Sequence, residues 1–288
     1  MNININTKIK LKYFLTLANV LVFMSGYLYA APNAWSAIKA PRDLPLNVYG
    51  SASNGCITGA QKLAPAGLGY QTMRQSRNRH YGHPNLIDFV KRMGNFSASQ
   101  QHLLLLGDMS QAMGGPMSSD HASHQSGLDI DIWLYQTNPQ EFKSANIETM
   151  KMRSVTDKAG MRLNKYWRDS YFELLKTAAQ DPQVERIFLN PVIKRALCEQ
   201  EPNGAWLQKI RPWWGHDSHF HVRLKCPKGQ KDCKNQAALA QGTGCNKDLD
   251  NWIKDQSDAI LYPKKVLKST YPKAVKAPLP SACLQLVN

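Results

Sequence analysis

The sequence is short of the features that mark several classes of protein. Its 288 residues include no C-x-x-C pair, which argues against a cysteine-ligated zinc site and against dithiol redox chemistry. It contains no internal repeat, and the apolar run over residues 14–24 is too short to cross a bilayer comfortably. Acidic residues are scarce, with 21 Asp and Glu against 36 Lys and Arg. The hydrophobic content of 43% is nevertheless ordinary for a folded globular protein.

The N-terminal residues have the composition of an export signal. Three lysines without any acidic residue precede the apolar run, and the small residues Ala30 and Ala31 follow it. This order of basic, apolar and small segments predicts a secretory signal peptide over residues 1–31, cleaved after Ala30 or Ala31. The alternative is an uncleaved membrane anchor, which the shortness of the run disfavours. We therefore expect no stable membrane anchor after cleavage.

The chain stays strongly basic without this segment. Its formal net charge falls from +15 to +12, because the segment carries three lysines and no acid. A basic surface suits an anionic polymer such as nucleic acid, acidic lipid or cell-wall glycan-peptide, although solubility alone is a simpler explanation. Export argues against nucleic acid, and the sequence shows neither an arginine-aromatic RNA motif nor a helix-turn-helix signal. We expect no nucleic-acid partner.

Six cysteines follow the predicted signal, at positions 56, 198, 226, 233, 245 and 283. An even number in an exported chain predicts disulfides and an oxidising compartment. Proximity in sequence favours a bond between Cys226 and Cys233. Cys283 needs a distant partner, and its bond would tie down the C-terminal tail.

Apolar periodicity predicts one α+β domain over residues 32–260, followed by a Pro/Lys-rich tail over residues 261–288. Helices are predicted at residues 84–93, 166–179, 191–198 and 248–254, and strands at residues 127–134, 184–189 and 220–224. Residues 103–106 fit either a buried strand or the end of a helix. Residues 32–50 are expected to form an extended lead-in, and residues 109–119 a loop.

Histidines are concentrated in two short segments. S-S-D-H-A-S-H-Q-S-G-L-D-I-D-I-W, residues 118–133, contains His121 and His124, and W-W-G-H-D-S-H-F-H-V-R-L, residues 213–224, contains His216, His219 and His221. Imidazole and carboxylate groups are the ligands of catalytic zinc sites, which use three of them and keep one position open. The two segments together supply such a set with a spare base, and they predict a catalytic zinc centre.

In the second segment, a period of two places the histidines and the apolar residues on opposite faces of the predicted strand. In H-F-H-V-R-L, His219 and His221 share one strand face, whereas Phe220, Val222 and Leu224 share the other. The apolar face is expected to pack in the core, which leaves both imidazoles directed towards a cleft.

The first segment offers two rival carboxylates. In the strand predicted at residues 127–134, Asp129 and Asp131 lie on the face opposite the aliphatic residues, and we expect only the aliphatic face to be buried. His124, Asp131 and His221 would hold zinc with the fourth position open to water, and His219 would be the general base. Spacing alone does not choose between Asp129 and Asp131, and an H-x-H pair by itself is weak evidence for a metal.

These residues carry a family resemblance. The H-x(6)-D pattern of residues 124–131 and the H-x-H pattern of residues 219–221 resemble those of the LAS-type zinc peptidases, the group of lysostaphin, the D-Ala-D-Ala carboxypeptidases and the hedgehog-like fold. The sequence is most similar to the penicillin-insensitive murein endopeptidases of Gram-negative bacteria. The similarity covers nearly the whole mature chain and includes G-H-P-N-L, L-L-L-G-D-M, R-I-F-L-N-P, K-I-R-P-W and all six cysteines.

The resemblance implies a small central antiparallel sheet flanked by helices and long loops. It implies zinc held by His124, Asp131 and His221, and so selects Asp131 over Asp129. His121 matches a further histidine of the family that lies next to the metal, where it either binds the metal in some states or only lines the site. His219 carries over as the catalytic base.

His216 matches a histidine that contacts the reacting carbonyl in the family. The resemblance further implies disulfides Cys56–Cys283, Cys198–Cys245 and Cys226–Cys233. Some members of the family have a second metal site with an Asp and a His after the first motif. The corresponding segment here has Asp157 but no histidine, so a second zinc is not expected, and a homodimer remains an open alternative.

The implied activity is zinc-dependent hydrolysis of D-alanyl–meso-diaminopimelyl cross-links in periplasmic peptidoglycan. No nucleophilic serine is required, which would explain insensitivity to penicillin. One alternative is a D,D- or L,D-carboxypeptidase acting on uncross-linked stem peptides. Another is a non-catalytic protein that binds the cell wall.

Overall fold

The computed structural model of the protein describes residues 33–118, 121–263 and 277–287. The predicted signal peptide and residues 264–276 of the predicted tail lie outside these ranges. The helices are α1 Ala34–Ala37, α2 Pro84–Ser99, α3 Ser170–Gln180, α4 Pro191–Gln200, α5 Lys247–Leu261 and α6 Ser281–Leu284. The strands are β1 Asn47–Ser51, β2 Asn54–Thr58, β3 Gln61–Lys62, β4 Ala66–Gly67, β5 Tyr70–Thr72, β6 Tyr81–Gly82, β7 Leu103–Leu106, β8 Asp129–Thr137, β9 Val184–Leu189, β10 Ile210–Pro212 and β11 His219–Leu224. None of the helices in the described ranges is long and apolar enough to cross a membrane.

A mixed sheet of seven strands organises the described residues, in the order β10-β9-β11-β8-β7-β5-β4. Its centre, β9-β11-β8-β7, is antiparallel, whereas β10 pairs in parallel with β9, and β5 with β7. The pairs β1–β2 and β3–β6 form two further small sheets. The predicted α+β class is confirmed, and the ambiguous run at residues 103–106 is strand β7.

Helices α2 and α4 begin where the sequence places a proline after a capping residue. His83 caps α2, because its Nδ1 accepts a hydrogen bond from the Asn85 N–H at 3.1 Å. Asn190 caps α4, because its Oδ1 accepts from the Val192 N–H at 3.0 Å. Proline fits the first helical turn, where its missing N–H leaves no hydrogen bond unmade.

Strand β8 differs from its prediction, because both of its faces are buried. The aliphatic face packs in the main core as expected. On the other face, Trp133 packs with Met73 and Leu105 in a second cluster of buried side chains. Asp129 and Asp131 are buried on the same face. That face is therefore buried as well, apolar around Trp133 and polar around Asp129 and Asp131.

Other elements differ from their predictions in extent. Residues 32–50, expected to be an extended lead-in, include helix α1 and most of strand β1. Helix α3 begins at Ser170 rather than at residue 166. Helix α5 continues to Leu261, well beyond the predicted residue 254, and buries the polar residues Gln256 and Ser257 on its inner face.

The structure contains three disulfides, Cys56–Cys283, Cys198–Cys245 and Cys226–Cys233. These are the three pairs that the family resemblance implied. The first closes a sequence separation of 227 residues and fixes the end of the predicted tail beside β2. Such a long closure restricts the unfolded chain strongly.

Candidate metal centre

Strands β8 and β11 bring the two histidine segments together. They pair antiparallel, with His221 directly opposite Asp131 and His219 opposite Trp133. His124 arrives from the loop before β8 in the left-handed backbone region, at φ 64°. Its N–H donates to Asp129 Oδ2 at 3.1 Å, which holds this turn in place. The sheet register thus sets one side of the site, and a single strained residue sets the other.

Three ligand atoms form a near-equilateral triangle. His124 Nε2 lies 3.1 Å from His221 Nδ1, and each of these atoms lies 3.3 Å from Asp131 Oδ1. Tetrahedral zinc holds its N and O ligands about 3.3 Å apart. Asp131 Oδ1 is buried and accepts no hydrogen bond from the described residues. A buried carboxylate oxygen without a donor is costly unless a cation neutralises it, so these residues fit a metal ion.

Two neighbouring residues widen the set of possible ligands. His121, His124 and Asp131 place ligand atoms within 4.8 Å of one another, and so do His124, Asp129 and His221. The structure therefore brings together the four residues predicted as metal ligands, with the rival Asp129 beside them.

Asp129 is occupied by contacts with other residues. Its two carboxylate oxygens accept hydrogen bonds from Arg223 Nε and Nη2, both at 2.9 Å, and from the His124 N–H. Its Oδ2 also lies 3.2 Å from His221 Nε2, the ring nitrogen that faces away from the triangle. Burial raises the pKa of Asp129, but the charges of Arg223 and His221 hold it well below its usual value. Asp129 is thus an ionised support behind His221 and His124.

His121 is held by a carboxylate that the sequence analysis missed. Its Nε2 lies 2.8 Å from Asp108 Oδ2, and its Nδ1 lies 3.8 Å from Asp131 Oδ2. Arg77 and Arg79 each pair with Asp108 at 3.0 Å. Burial raises the pKa of Asp108, but the hydrogen bond from His121 and the two arginines lower it to about 2. Asp108 lies in the segment L-L-L-G-D-M, which is similar to the family, but no pattern in that segment assigns it a contact with His121.

His216 and His219 flank the triangle on the side of β11. Their ring centroids lie 4.9 Å apart, and His219 Nε2 lies 3.8 Å from Asp131 Oδ2. Burial lowers the pKa of His216 to about 4, with a further contribution from the charge of His219. Burial also lowers the pKa of His219, although Asp131 opposes this effect. Both rings are therefore neutral at pH 7 and available to accept a proton or a hydrogen bond.

The loop of residues 213–218, which carries His216, is fixed from behind. The Asn190 N–H donates to the His216 carbonyl at 3.0 Å, and Asn190 Nδ2 donates to the Gly215 carbonyl at 2.9 Å. Asn190 Nδ2 also donates to Gln256 Oε1 at 2.9 Å, which links the loop to α5. On the other side, Asp217 Oδ2 accepts from Ser154 Oγ at 2.7 Å. No pattern in the sequence identifies these contacts, because they join four distant segments.

Comparison with known proteins identifies the family of the chain. A family model described as "Penicillin-insensitive murein endopeptidase" matches residues 48–288. Three relatives bear that same name. The protein of Haemophilus influenzae is 42% identical over 264 residues, 90% of each chain. That of Pectobacterium atrosepticum is 38% identical over 261 residues, 90% of each chain. That of Escherichia coli O157:H7 is 34% identical over 271 residues, 93% of this chain and 96% of the relative. The chain belongs to the penicillin-insensitive murein endopeptidase family.

Proposed function

We propose that the protein is a zinc-dependent murein endopeptidase that hydrolyses D-alanyl–meso-diaminopimelyl cross-links of peptidoglycan in the periplasm. The observation that carries the proposal is the triangle of His124, Asp131 and His221 beside two neutral histidines, in a chain of this family. The three disulfides and the predicted signal peptide support an oxidising compartment outside the cytoplasm.

His124, Asp131 and His221 are the proposed zinc ligands. Asp131 is favoured over Asp129 because its Oδ1 accepts no hydrogen bond from the described residues, whereas both oxygens of Asp129 are engaged. His121 is proposed as a residue beside the metal, and its Nδ1 faces Asp131. Zinc in such a site supplies Lewis acidity, which activates a water molecule and polarises a carbonyl group.

The protein residues around the metal handle the protons. His219, neutral and adjacent to Asp131, accepts the proton of the attacking water and passes it to the amine that leaves. His216 is proposed as the auxiliary histidine beside the reacting carbonyl; its Nδ1–H donates to the Trp214 carbonyl at 3.0 Å, which fixes the ring and leaves the Nε2 of the neutral imidazole as an acceptor. Asp129 and Asp108 orient His221 and His121, as carboxylates do for ligand histidines. No serine nucleophile takes part, so β-lactams have no residue to acylate.

Chromatography of muropeptides tests the proposal. Incubation of purified sacculi should convert cross-linked dimers into monomers in the presence of zinc and benzylpenicillin. EDTA and Asp131→Ala should each abolish the conversion, and an Asp88→Asn variant on α2 is the matched surface control. Conversion that survives both EDTA and Asp131→Ala would contradict the zinc mechanism.

The same chromatograms separate the alternatives. A D,D- or L,D-carboxypeptidase would shorten monomeric stem peptides and leave dimers intact. A wall-binding protein would bind sacculi and zinc without changing the muropeptide profile.

A further inference from the structure

Three tryptophans cluster on the surface beside the candidate metal centre, and we call them the indole platform: Trp213, Trp214 and Trp252. Trp213 and Trp214 are 51% and 42% exposed. The ring of Trp252, on α5, lies 6.3 Å from that of Trp213 and 6.2 Å from that of Trp214. Exposing several adjacent indole rings to water is unfavourable because they are large and apolar. Such exposed apolar patches often mark binding surfaces.

The platform is joined to the metal centre by direct contacts. The ring of Trp213 packs edge-on against Phe188 at 5.4 Å, and Phe188 packs edge-on against His221 at 5.3 Å. Trp213 and Trp214 also begin the loop that carries His216. A ligand on the platform is therefore held at a fixed place relative to the proposed catalytic histidines.

A cavity of about 560 Å³ adjoins the platform, within the size range of small-ligand pockets. Trp214 and Trp252 line it together with hydrogen-bonding side chains, among them Arg211, Asn251 and Asp255. Arg211 has no carboxylate partner among the described residues. The lining thus pairs flat apolar surfaces with several donors and acceptors, which suits a ligand with apolar faces and polar edges.

The charge of α5 narrows the class of ligand. The helix carries four aspartates and two lysines, in a chain whose net charge is +15. Anionic lipid and nucleic acid need a basic rim instead. The aspartates of α5 would repel an anionic ligand, whereas they would not repel a neutral polyhydroxylated one. Sugar rings present apolar C–H faces and hydroxyl or acetamide edges, the pattern that the platform and cavity would complement.

We propose that the indole platform and its cavity bind the amino-sugar backbone of the polymer whose peptide cross-links the metal centre cleaves. This inference rests on the proposed function for its choice of polymer. The platform holds the glycan strand by stacking, and so presents the attached peptide to the proposed catalytic histidines.

Two measurements on the full mature protein test the proposal. Titration with tri-N-acetylchitotriose, a neutral amino-sugar oligomer, is followed by tryptophan fluorescence. Trp252→Ala should weaken this binding about tenfold, the size expected for the loss of one stacked ring. Tyr166→Ala, which removes an exposed aromatic ring outside the platform and the metal centre, should leave binding unchanged.

The second measurement compares hydrolysis of intact sacculi with hydrolysis of a glycan-free cross-linked peptide dimer. Trp252→Ala should slow the first about tenfold and change the second by less than about twofold. Equal losses on both substrates, or no saturable binding of the oligomer by the wild type, would overturn the inference. If the wild type hydrolyses neither substrate, the proposed function fails, and the oligomer titration still decides whether the platform binds sugar.

Discussion

The substitution Asp129→Asn tests whether the carboxylate of Asp129 supports the proposed metal ligands His221 and His124. The substitution keeps the shape of the side chain but removes the charge that Arg223 contacts twice, and it places an NH₂ group among the donors of His124 and Arg223. Removing one partner of a buried ion pair typically costs about 3–5 kcal/mol, because the other charge stays buried and unpaired. We expect a loss of this size in the free energy of unfolding, measured on the metal-free protein in the presence of a chelator.

The same substitution should weaken metal binding. Asp129 lies 3.2 Å from His221 Nε2 and so favours the tautomer in which Nδ1 is free to bind a metal. Loss of such a supporting carboxylate typically lowers metal affinity about 10- to 100-fold. Zinc affinity is measured by competition with a chromophoric chelator, under conditions where circular dichroism shows the variant to be folded. Asp88→Asn, an exposed change on α2, should alter neither quantity. Unchanged zinc affinity in a folded but destabilised Asp129→Asn protein would refute the supporting role.

Three further predictions concern separate parts of the molecule. His219→Gln should lower the rate of cross-link hydrolysis about 100- to 10,000-fold while zinc affinity changes little, and a parallel loss of zinc would instead make His219 a ligand. Lys194 is fully buried, its Nζ donates to the Ile210 carbonyl at 2.7 Å, and burial lowers its pKa to about 7. In the unfolded chain this lysine has its ordinary pKa near 10.5. Between pH 7 and pH 10.5 the unfolded chain therefore binds more protons than the folded chain. The free energy of unfolding should consequently rise with pH in this range, by up to about 1.4 kcal/mol per pH unit. Urea unfolding at pH 7 and 9 should show that rise in the wild type and a smaller one in Lys194→Met, and identical pH dependence would contradict the assignment. The double change Cys56→Ser and Cys283→Ser should lower the free energy of unfolding by about 2–5 kcal/mol, and no loss of stability would show that the long closure contributes nothing.

The sequence predicted best where local pattern and tertiary environment coincide. The alternation in β11 places Phe220 and Val222 in the core and His221 on the other face, because a strand pairs its neighbours through the backbone whatever its side chains are. The same reasoning failed for the second face of β8. That face is covered by residues remote in sequence, among them Met73, Asp108 and Arg223, and alternation within one strand carries no information about them.

Helix α5 shows a second limit of sequence patterns. Its inner face includes Gln256 and Ser257, which are buried although they are polar. Gln256 is buried because it bonds to Asn190 and to the Gly160 carbonyl, both far away in the chain. The apolar periodicity of the sequence does not extend to the buried polar residues Gln256 and Ser257. The predicted helix therefore ends at residue 254, several residues before the end of α5. The supports of a site are in this way harder to predict than its ligands.

The disulfide between Cys56 and Cys283 has a consequence for the order of maturation. A chain synthesised N-terminus first delivers Cys198, Cys226, Cys233 and Cys245 before Cys283. The bond that closes the widest loop is therefore the last of the three that can form. Until Cys283 can pair with Cys56, strand β2 lacks its covalent tie to α6. The protein therefore acquires its full set of disulfides only when Cys283 has reached an oxidising environment.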